Sequence, residues 1–256
     1  MRLTSRRNPI VLHMKELGAK RDYRRESGEF LCDGMKLLEE AVNSGARVTA
    51  VLTSTYIPFP LEVETRVYQA PRDIINSVSP LKNAQDTVFT CELSPKGGFP
   101  DVSRTSVLLD GIQDPGNLGT IIRTAHALGI SGVCLTGDCA DPYNPKTIRA
   151  TMGAIFKQKI YNLTLSEISA LKESGARIVG AVCKTEDSSG VLNAGECSLV
   201  NAMIAIGSEG HGLSPETLAL CNETVTIPIS PDCESLNAAT ASAILMWEAV
   251  RLGDRG

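Results

Sequence analysis

The chain of 256 residues predicts an α/β fold with a mainly parallel sheet. Three observations support this. Short apolar segments alternate with amphipathic ones along the whole chain. The segments ARIVGAVC (176–183) and NAMIAIG (201–207) are almost continuously apolar, which is typical of strands covered on both faces. Glycine-rich or proline-rich loops at 110–120, 206–215 and 227–237 follow predicted strands, as expected for ligand loops at the carboxyl edge of a parallel sheet.

The first 92 residues contain a βαβ rhythm of their own. We predict strands at EFLCDG, RVTAVLT, RVYQA and TVFTCEL, and helices at MKLLEEAVNSG and from about Pro71. Gly45 closes the first of these helices, because glycine commonly ends a helix. SPKGGFPDVSRT, which follows, is rich in Gly, Pro and Ser and indicates a linker. We therefore predict a domain at 1–92, a linker at 93–104 and a second domain at 105–256.

The second domain repeats the alternation. We predict strands at TSVLLD and GVCLTG, a helix at LGTIIRTAHALG and a helix that starts at Asn144-Pro145. The chain then continues through the two apolar strands to a long last helix, SLNAATASAILMWEAVRLG. Asn117 and Ser235 are candidates for helix caps as well as for chemistry. One apolar stripe of the last helix belongs either to the core or to a dimer interface: Ile244, Leu245, Trp247 and Val250.

Composition excludes several classes of protein. No run of about 18 apolar residues exists, and the amino terminus lacks the pattern of a secretory signal, so we expect a cytoplasmic protein without a membrane span. The eight cysteines are scattered and form no C-x-x-C pair, which favours reduced, buried thiols. The three histidines are too dispersed for a zinc site.

Charge is distributed unevenly along the chain. The net charge is −4, but the first 25 residues hold eight Lys/Arg and two Asp/Glu. Such a basic arm on an acidic protein is either a contact for phosphate groups or a solvated helix. The arginines that would make these phosphate contacts, with RNA as the ligand if the resemblance given below holds, are Arg6, Arg7, Arg21, Arg24 and Arg25.

Two familiar glycine-loop motifs do not fit. GIQDPGN has the glycine spacing of a P-loop, but Asn117 stands where the phosphate-binding lysine would be. GSEGHG follows a strand, yet its order is G-x-x-G-x-G and not the G-x-G-x-x-G of dinucleotide-binding folds. These loops therefore predict neither a P-loop nor a dinucleotide site.

Taken together, three segments resemble the motifs of the SpoU/TrmH family of RNA 2′-O-ribose methyltransferases, within the SPOUT superfamily. They are NLGTIIR (117–123), GSEGHGL (207–213), and Ile227-Pro228 followed by Ser235-Leu236-Asn237. The resemblance covers about residues 105–252, and RATMGAIF (149–156) is similar to a further family segment. The first 92 residues resemble the ribosomal-protein-like α/β substrate-binding domain that often precedes this catalytic domain.

The resemblance implies a trefoil-knotted SPOUT catalytic domain, a homodimer and S-adenosylmethionine as methyl donor, with no metal. It implies cofactor contacts at Gly207, Ile227 and Leu236. The catalytic candidates are Arg123, Asn117, Glu209, Ser235 and Asn237. The family interpretation often casts Arg123 as the base for the 2′-hydroxyl, whereas a guanidinium pKa above about 12 favours a phosphate clamp or alkoxide stabilisation. Glu209 would orient Arg123 or a ribose hydroxyl.

The function implied is S-adenosylmethionine-dependent methylation of a ribose 2′-hydroxyl in structured RNA. An RNA-binding extension favours ribosomal RNA over transfer RNA as substrate. The alternative, from another class, is a non-catalytic RNA-binding or ribosome-assembly factor on the same scaffold.

Overall fold

A computed structural model describes residues 1–79, 85–93, 98–183 and 190–252. The chain divides into two compact units. The first unit comprises Met1–Pro95 with Asp141–Lys157, and the second unit comprises Lys96–Ala140 with Gln158–Gly256. Segment 141–157 therefore packs with the amino-terminal unit, although the sequence pattern assigns it to the second domain. Residues 94–97 of the predicted linker and the last four residues lie outside the described residues. The boundaries at 92 and 104 stay a prediction.

The first unit contains a four-stranded sheet and the helices that pack with it. Its elements in chain order are α1 (Pro9–Ala19), α2 (Arg21–Ser27), β1 (Glu29–Asp33), α3 (Met35–Asn43), β2 (Val48–Thr53), β3 (Arg66–Gln69), α4 (Arg72–Val78) and β4 (Thr87–Glu92). The sheet order is β1-β4-β2-β3. Only β2 and β3 are parallel, and β4 is antiparallel to both of its neighbours. The basic arm folds as α1 and α2, and Val11, Met14 and Leu17 of α1 are fully buried in the core.

The rest of the chain forms a seven-stranded parallel sheet with helices. Its elements are β5 (Ser106–Asp110), α5 (Pro115–Ala127), β6 (Val133–Thr136), α6 (Pro145–Thr151, which packs in the first unit), β7 (Ile160–Asn162), α7 (Leu165–Glu173), β8 (Arg177–Ala181), β9 (Leu192–Asn193), β10 (Ala202–Gly207), α8 (Pro215–Leu220), β11 (Glu223–Thr226) and α9 (Ala238–Leu252). The strand order is β7-β6-β5-β10-β8-β11-β9, and these neighbours are all parallel. The predicted α/β class with a mainly parallel sheet is confirmed.

The interior strands are covered on both faces. Every residue of β5 is buried, as are the first five of β10, which matches their near-continuous apolar sequence. Helices α5 and α9 pack against each other. The apolar stripe of α9 is divided: Leu245 is fully buried, whereas Ile244 and Trp247 are 39% and 46% exposed. Leu245 therefore belongs to the core, whereas Ile244 and Trp247 lie on the surface of this unit.

All eight cysteines are free thiols, as predicted. Five are buried, Cys221 is half-buried, and Cys183 and Cys233 are exposed, so the expectation of buried thiols is wrong for these last two. Burial raises the pKa of the Cys134 thiol to about 12 and that of Cys221 to about 11. None of the helices in the described residues is long and apolar enough to cross a membrane.

Candidate functional site

A cavity of about 760 Å³ opens at the carboxyl ends of β8, β10 and β11 in the second unit. Parallel α/β sheets bind ligands at this edge, and the volume suits a molecule of cofactor size. The lining includes Gly207, Ile227 and Leu236, which the sequence assigns to the cofactor, together with Glu209 and Ser235. Two of the three motif loops thus enclose one pocket.

The loop after β10 folds back over its own first residue. Ser208 and Gly212 exchange two backbone hydrogen bonds, of 3.1 and 2.9 Å, which close a tight turn around Glu209. A Cβ atom at Gly207 would overlap the backbone of Gly212 and Leu213. Only glycine permits this close approach, and the pocket wall therefore requires glycine at position 207.

Asn117 lies in the first turn of α5 and does not cap it. The cap is Asp114, whose Oδ1 accepts a hydrogen bond of 2.8 Å from the Asn117 backbone N–H, with Pro115 at the first helical position. The prediction that Asn117 caps this helix is wrong, because the helix begins three residues earlier. The Asn117 side chain is consequently available for contacts outside its own helix.

Asn237, and not Ser235, caps the last helix. Its Oδ1 accepts hydrogen bonds from the backbone N–H groups of Ala239 and Thr240, at 2.9 and 3.3 Å. These donors would otherwise be unsatisfied at the start of α9. Ser235 is exposed in the loop before the helix, where it lines the pocket. The prediction of Ser235 as cap is wrong.

One chain of hydrogen bonds joins the three motifs. The Asn237 Nδ2 donates to Asn117 Oδ1 at 3.1 Å, and the Asn117 Nδ2 donates to Glu209 Oε1. Because Asn237 Oδ1 already accepts from the helix, each amide has a single consistent orientation. Asn117, which is 92 positions from Glu209 and 120 from Asn237 in the sequence, therefore links the two and holds the Glu209 carboxylate at the pocket.

Arg123 stands apart from this network. It lies in α5 with its side chain exposed, and within the described residues no hydrogen bond or ion pair is assigned to it. Glu209 binds Asn117 instead, so the expectation that Glu209 orients Arg123 is not met in this conformation. An exposed guanidinium can contact an anionic group of a bound polymer.

The basic arm is mixed in character. Arg7 and Arg25 are exposed, and Arg6 pairs with Asp73 at 2.8 Å while both side chains remain more than half exposed. Arg21 is half-buried and engaged in its own contacts. These four arginines stay candidates for RNA contacts.

Arg24 is different, because its side chain is only 4% exposed. Its Nε and Nη2 donate to Asp141 Oδ2 at 2.9 and 2.6 Å, and its Nη1 donates to the Leu17 carbonyl at 2.6 Å. A guanidinium with these donors occupied inside the protein cannot reach a phosphate. The prediction that Arg24 binds RNA is wrong.

Sequence reasoning did not select Asp110 as a site residue. It ends β5 and is 7% exposed, and its Oδ2 accepts from the backbone N–H and the hydroxyl of Ser214, at 2.8 and 2.6 Å. The signal was present in the sequence as an apolar strand that ends in a carboxylate.

In the described part of the chain, no group of three or more His, Cys, Asp or Glu could hold a metal ion.

Known protein families match both units. The model of the SpoU rRNA Methylase family matches residues 104–247, and that of the MRM3-like substrate binding domain matches residues 8–88. The 23S rRNA (guanosine(2553)-2′-O)-methyltransferase RlmP of Bacillus subtilis is 31% identical over 248 residues, which cover 96% of this chain and 97% of the relative.

Solved structures agree with this similarity over nearly the whole chain. The SpoU methyltransferase AviRb of Streptomyces viridochromogenes, in complex with the cofactor AdoMet, has a TM-score of 0.82 at 27% identity, covering 96% of this chain and 98% of that one. An AdoMet-bound rRNA methyltransferase of Sinorhizobium meliloti has a TM-score of 0.85 at 28% identity, covering 98% and 97%.

Proposed function

The chain belongs to the SpoU rRNA methylase family, and we propose that it methylates a ribose 2′-hydroxyl in structured RNA, with ribosomal RNA favoured over transfer RNA. One observation carries the proposal: the Glu209–Asn117–Asn237 hydrogen-bond chain joins three separate sequence motifs beside a 760 Å³ pocket. RlmP of Bacillus subtilis and the similar protein of Sinorhizobium meliloti are both named as rRNA methyltransferases, which supports the choice of substrate.

The pocket fits S-adenosylmethionine. Its volume lies within the range of cofactor sites, and Gly207 leaves the wall free of a side chain where the backbone folds over itself. Gly207, Ile227 and Leu236 would hold the adenosyl portion through main-chain groups and apolar contact. When bound, S-adenosylmethionine supplies an electrophilic methyl group. The AdoMet-bound structures of similar proteins support this assignment, and independence from metal stays a prediction.

The chain's own contribution is to position the ribose and to stabilise charge. Glu209 and Ser235 line the pocket and can hydrogen-bond ribose hydroxyls, while Asn117 and Asn237 keep Glu209 in place. Arg123 would clamp a phosphate or stabilise the developing alkoxide. Both tasks use the permanent charge of the guanidinium, which hardly deprotonates at neutral pH.

The test is transfer of a labelled methyl group to ribosomal RNA, followed by mapping of alkali-resistant linkages. Arg123→Ala should lower kcat about 10²–10³-fold with S-adenosylmethionine affinity nearly unchanged, because a group aimed at developing charge acts mainly on the transition state. Arg104→Ala is the matched control, an exposed arginine of the same unit outside the motifs. Arg123→Lys separates a point charge from a planar fork.

Two results would contradict the proposal. If calorimetry detects no binding of S-adenosylmethionine at millimolar concentration, the non-catalytic RNA-binding or assembly factor replaces the enzyme. If Arg123→Ala keeps normal turnover at saturating RNA, the role given to Arg123 is wrong, although the activity itself would stand.

RNA binding would use the exposed part of the basic arm. Replacing the four candidate arginines by Gln should weaken binding and flatten its salt dependence, since each phosphate contact contributes roughly 0.7–0.9 to the slope. The four are Arg6, Arg7, Arg21 and Arg25. Arg66→Gln, an exposed arginine on β3, is the control. An unchanged slope in the fourfold variant would mean that this arm is only a solvated helical surface.

We also propose a homodimer and a trefoil knot in the second domain. Exposed Ile244 and Trp247 on α9 support the dimer, because a contiguous apolar surface favours association. Trp247→Glu should shift the protein to monomer in analytical ultracentrifugation, and an unchanged mass would refute this interface. Membership of the SpoU family supports the knot, which mechanical stretching would report as a shortened contour length. A cytoplasmic location stays a prediction.

A further inference from the structure

Asp110 lies at the carboxyl edge of the sheet, at the end of an interior strand. It ends β5, which lies between β6 and β10, and it pairs in register with Thr136 on one side and Gly207 on the other. The residue is 7% exposed. A buried carboxylate is costly unless hydrogen bonds compensate its charge. Its surroundings therefore have to supply donors.

The donors come from Ser214, the last residue of the loop after β10. Asp110 Oδ2 accepts from the Ser214 backbone N–H at 2.8 Å and from its hydroxyl at 2.6 Å. Ser214 is also the cap of α8, where its hydroxyl accepts from the Thr217 N–H at 3.2 Å. Among the described residues, no cation forms an ion pair with Asp110. The carboxylate thus depends on this one serine for its side-chain hydrogen bonds.

Both ends of one loop meet at this single residue. The loop 207–214 starts at Gly207, which is the register partner of Asp110, and ends at Ser214, which is bound by the Asp110 carboxylate. Between these ends lies Glu209, whose carboxylate binds Asn117. The Asp110 side chain, which does not line the pocket, therefore connects the two loop ends in addition to the Ser208–Gly212 backbone bonds.

We propose that Asp110 is a positioning residue, which holds the loop 207–214 so that Glu209 reaches Asn117 and the pocket keeps its wall. This inference rests on the proposed function for its kinetic consequence. Without the carboxylate, Ser214 loses its acceptor and the loop gains freedom at its carboxyl end. Glu209 then spends less time at Asn117, and the pocket must be ordered again each time a ligand binds.

The test compares Asp110→Asn and Ser214→Ala with wild type. Asp110→Asn keeps the volume of the side chain and removes its charge, which weakens both bonds. Asp101→Asn is the matched control, since Asp101 Oδ1 also accepts from a nearby serine, Ser103, through its N–H and hydroxyl at 3.0 and 2.7 Å, but is exposed and outside the pocket.

We expect Asp110→Asn to raise the Kd for S-adenosylmethionine about tenfold, the equivalent of one hydrogen bond to a charged group, and to lower kcat at saturating substrates. The double variant with Ser214→Ala should raise the Kd little further, because Asp110→Asn already weakens the bond to the Ser214 hydroxyl. Its melting temperature should fall further, because Ser214→Ala also removes the cap of α8. A purely structural role would instead lower the melting temperature and leave the Kd and kcat of the folded protein unchanged, which would overturn the proposal.

Hydrogen exchange keeps the inference separate from the proposed function. In Asp110→Asn, the amides of Ser208, Gly212 and Ser214 should exchange faster than in wild type, whether or not the protein binds S-adenosylmethionine. Unchanged protection of these amides would overturn the positioning role. Failure of the wild-type protein to bind S-adenosylmethionine, with faster loop exchange in the variant, would refute the proposed function alone.

Discussion

Replacing Arg24 by Met should destabilise the first unit by several kcal/mol. The guanidinium donates two hydrogen bonds to Asp141 and one to the Leu17 carbonyl, and the two charged side chains are only 4% and 12% exposed. Removing one partner of a buried pair costs about 3–5 kcal/mol, because the other charge is left buried without compensation. At about 2–4 °C per kcal/mol for a protein of this size, the Tm should fall by roughly 6–20 °C.

Thermal and chemical denaturation measure this effect. Arg25→Met is the control, since its exposed side chain is next to Arg24 in α2 and should change the Tm by less than about 2 °C. Arg24→Met combined with Asp141→Asn should recover part of the loss, because the buried negative charge is gone. If Arg24→Met has the same Tm as the wild type, the buried pair makes no net contribution to stability and the argument for its structural role fails.

Three further predictions concern the site. Asn117→Ala should lower kcat about a hundredfold, because Glu209 loses the side chain that holds it. The Kd for S-adenosylmethionine should stay within about threefold, since Asn117 does not line the pocket. An unchanged kcat would contradict the role given to the Glu209–Asn117–Asn237 chain of hydrogen bonds. Gly207→Ala should abolish cofactor binding in calorimetry, as its Cβ overlaps backbone, whereas Gly195→Ala meets no atom and should bind normally. Cys183 and Cys233, exposed on the pocket wall, should be alkylated first at pH 8 in mass spectrometry and protected by S-adenosylmethionine; equal rates with and without the cofactor would contradict this.

The capping residues show where sequence reasoning fell short although the signal was available. Asp114-Pro115 has the same pattern as Asn144-Pro145, which we used correctly to start α6, and as Ser214-Pro215 before α8. The pattern of a capping side chain before proline would therefore have identified Asp114. It would not have distinguished Ser235 from Asn237, because both residue types cap helices and no proline follows either of them.

Arg24 and Asp110 illustrate what no local pattern contains. Arg24 belongs to a cluster of five arginines by sequence, and only its partner Asp141, 117 residues away, separates it from its exposed neighbours. Asp110 and Ser214 are 104 residues apart. Burial and pairing depend on which segments meet in space.

By itself, the sequence determined the α/β class, the apolar parallel strands and the three motifs, because strand burial and the residue types of a site leave local patterns in the chain. The tertiary structure decided which motif residues touch, which arginine is buried and which carboxylate holds the loop 207–214. It also decided that segment 141–157 packs with the amino-terminal unit. The physical reason is that hydrogen bonds and ion pairs between distant segments depend on distances of about 3 Å, which only the folded chain defines.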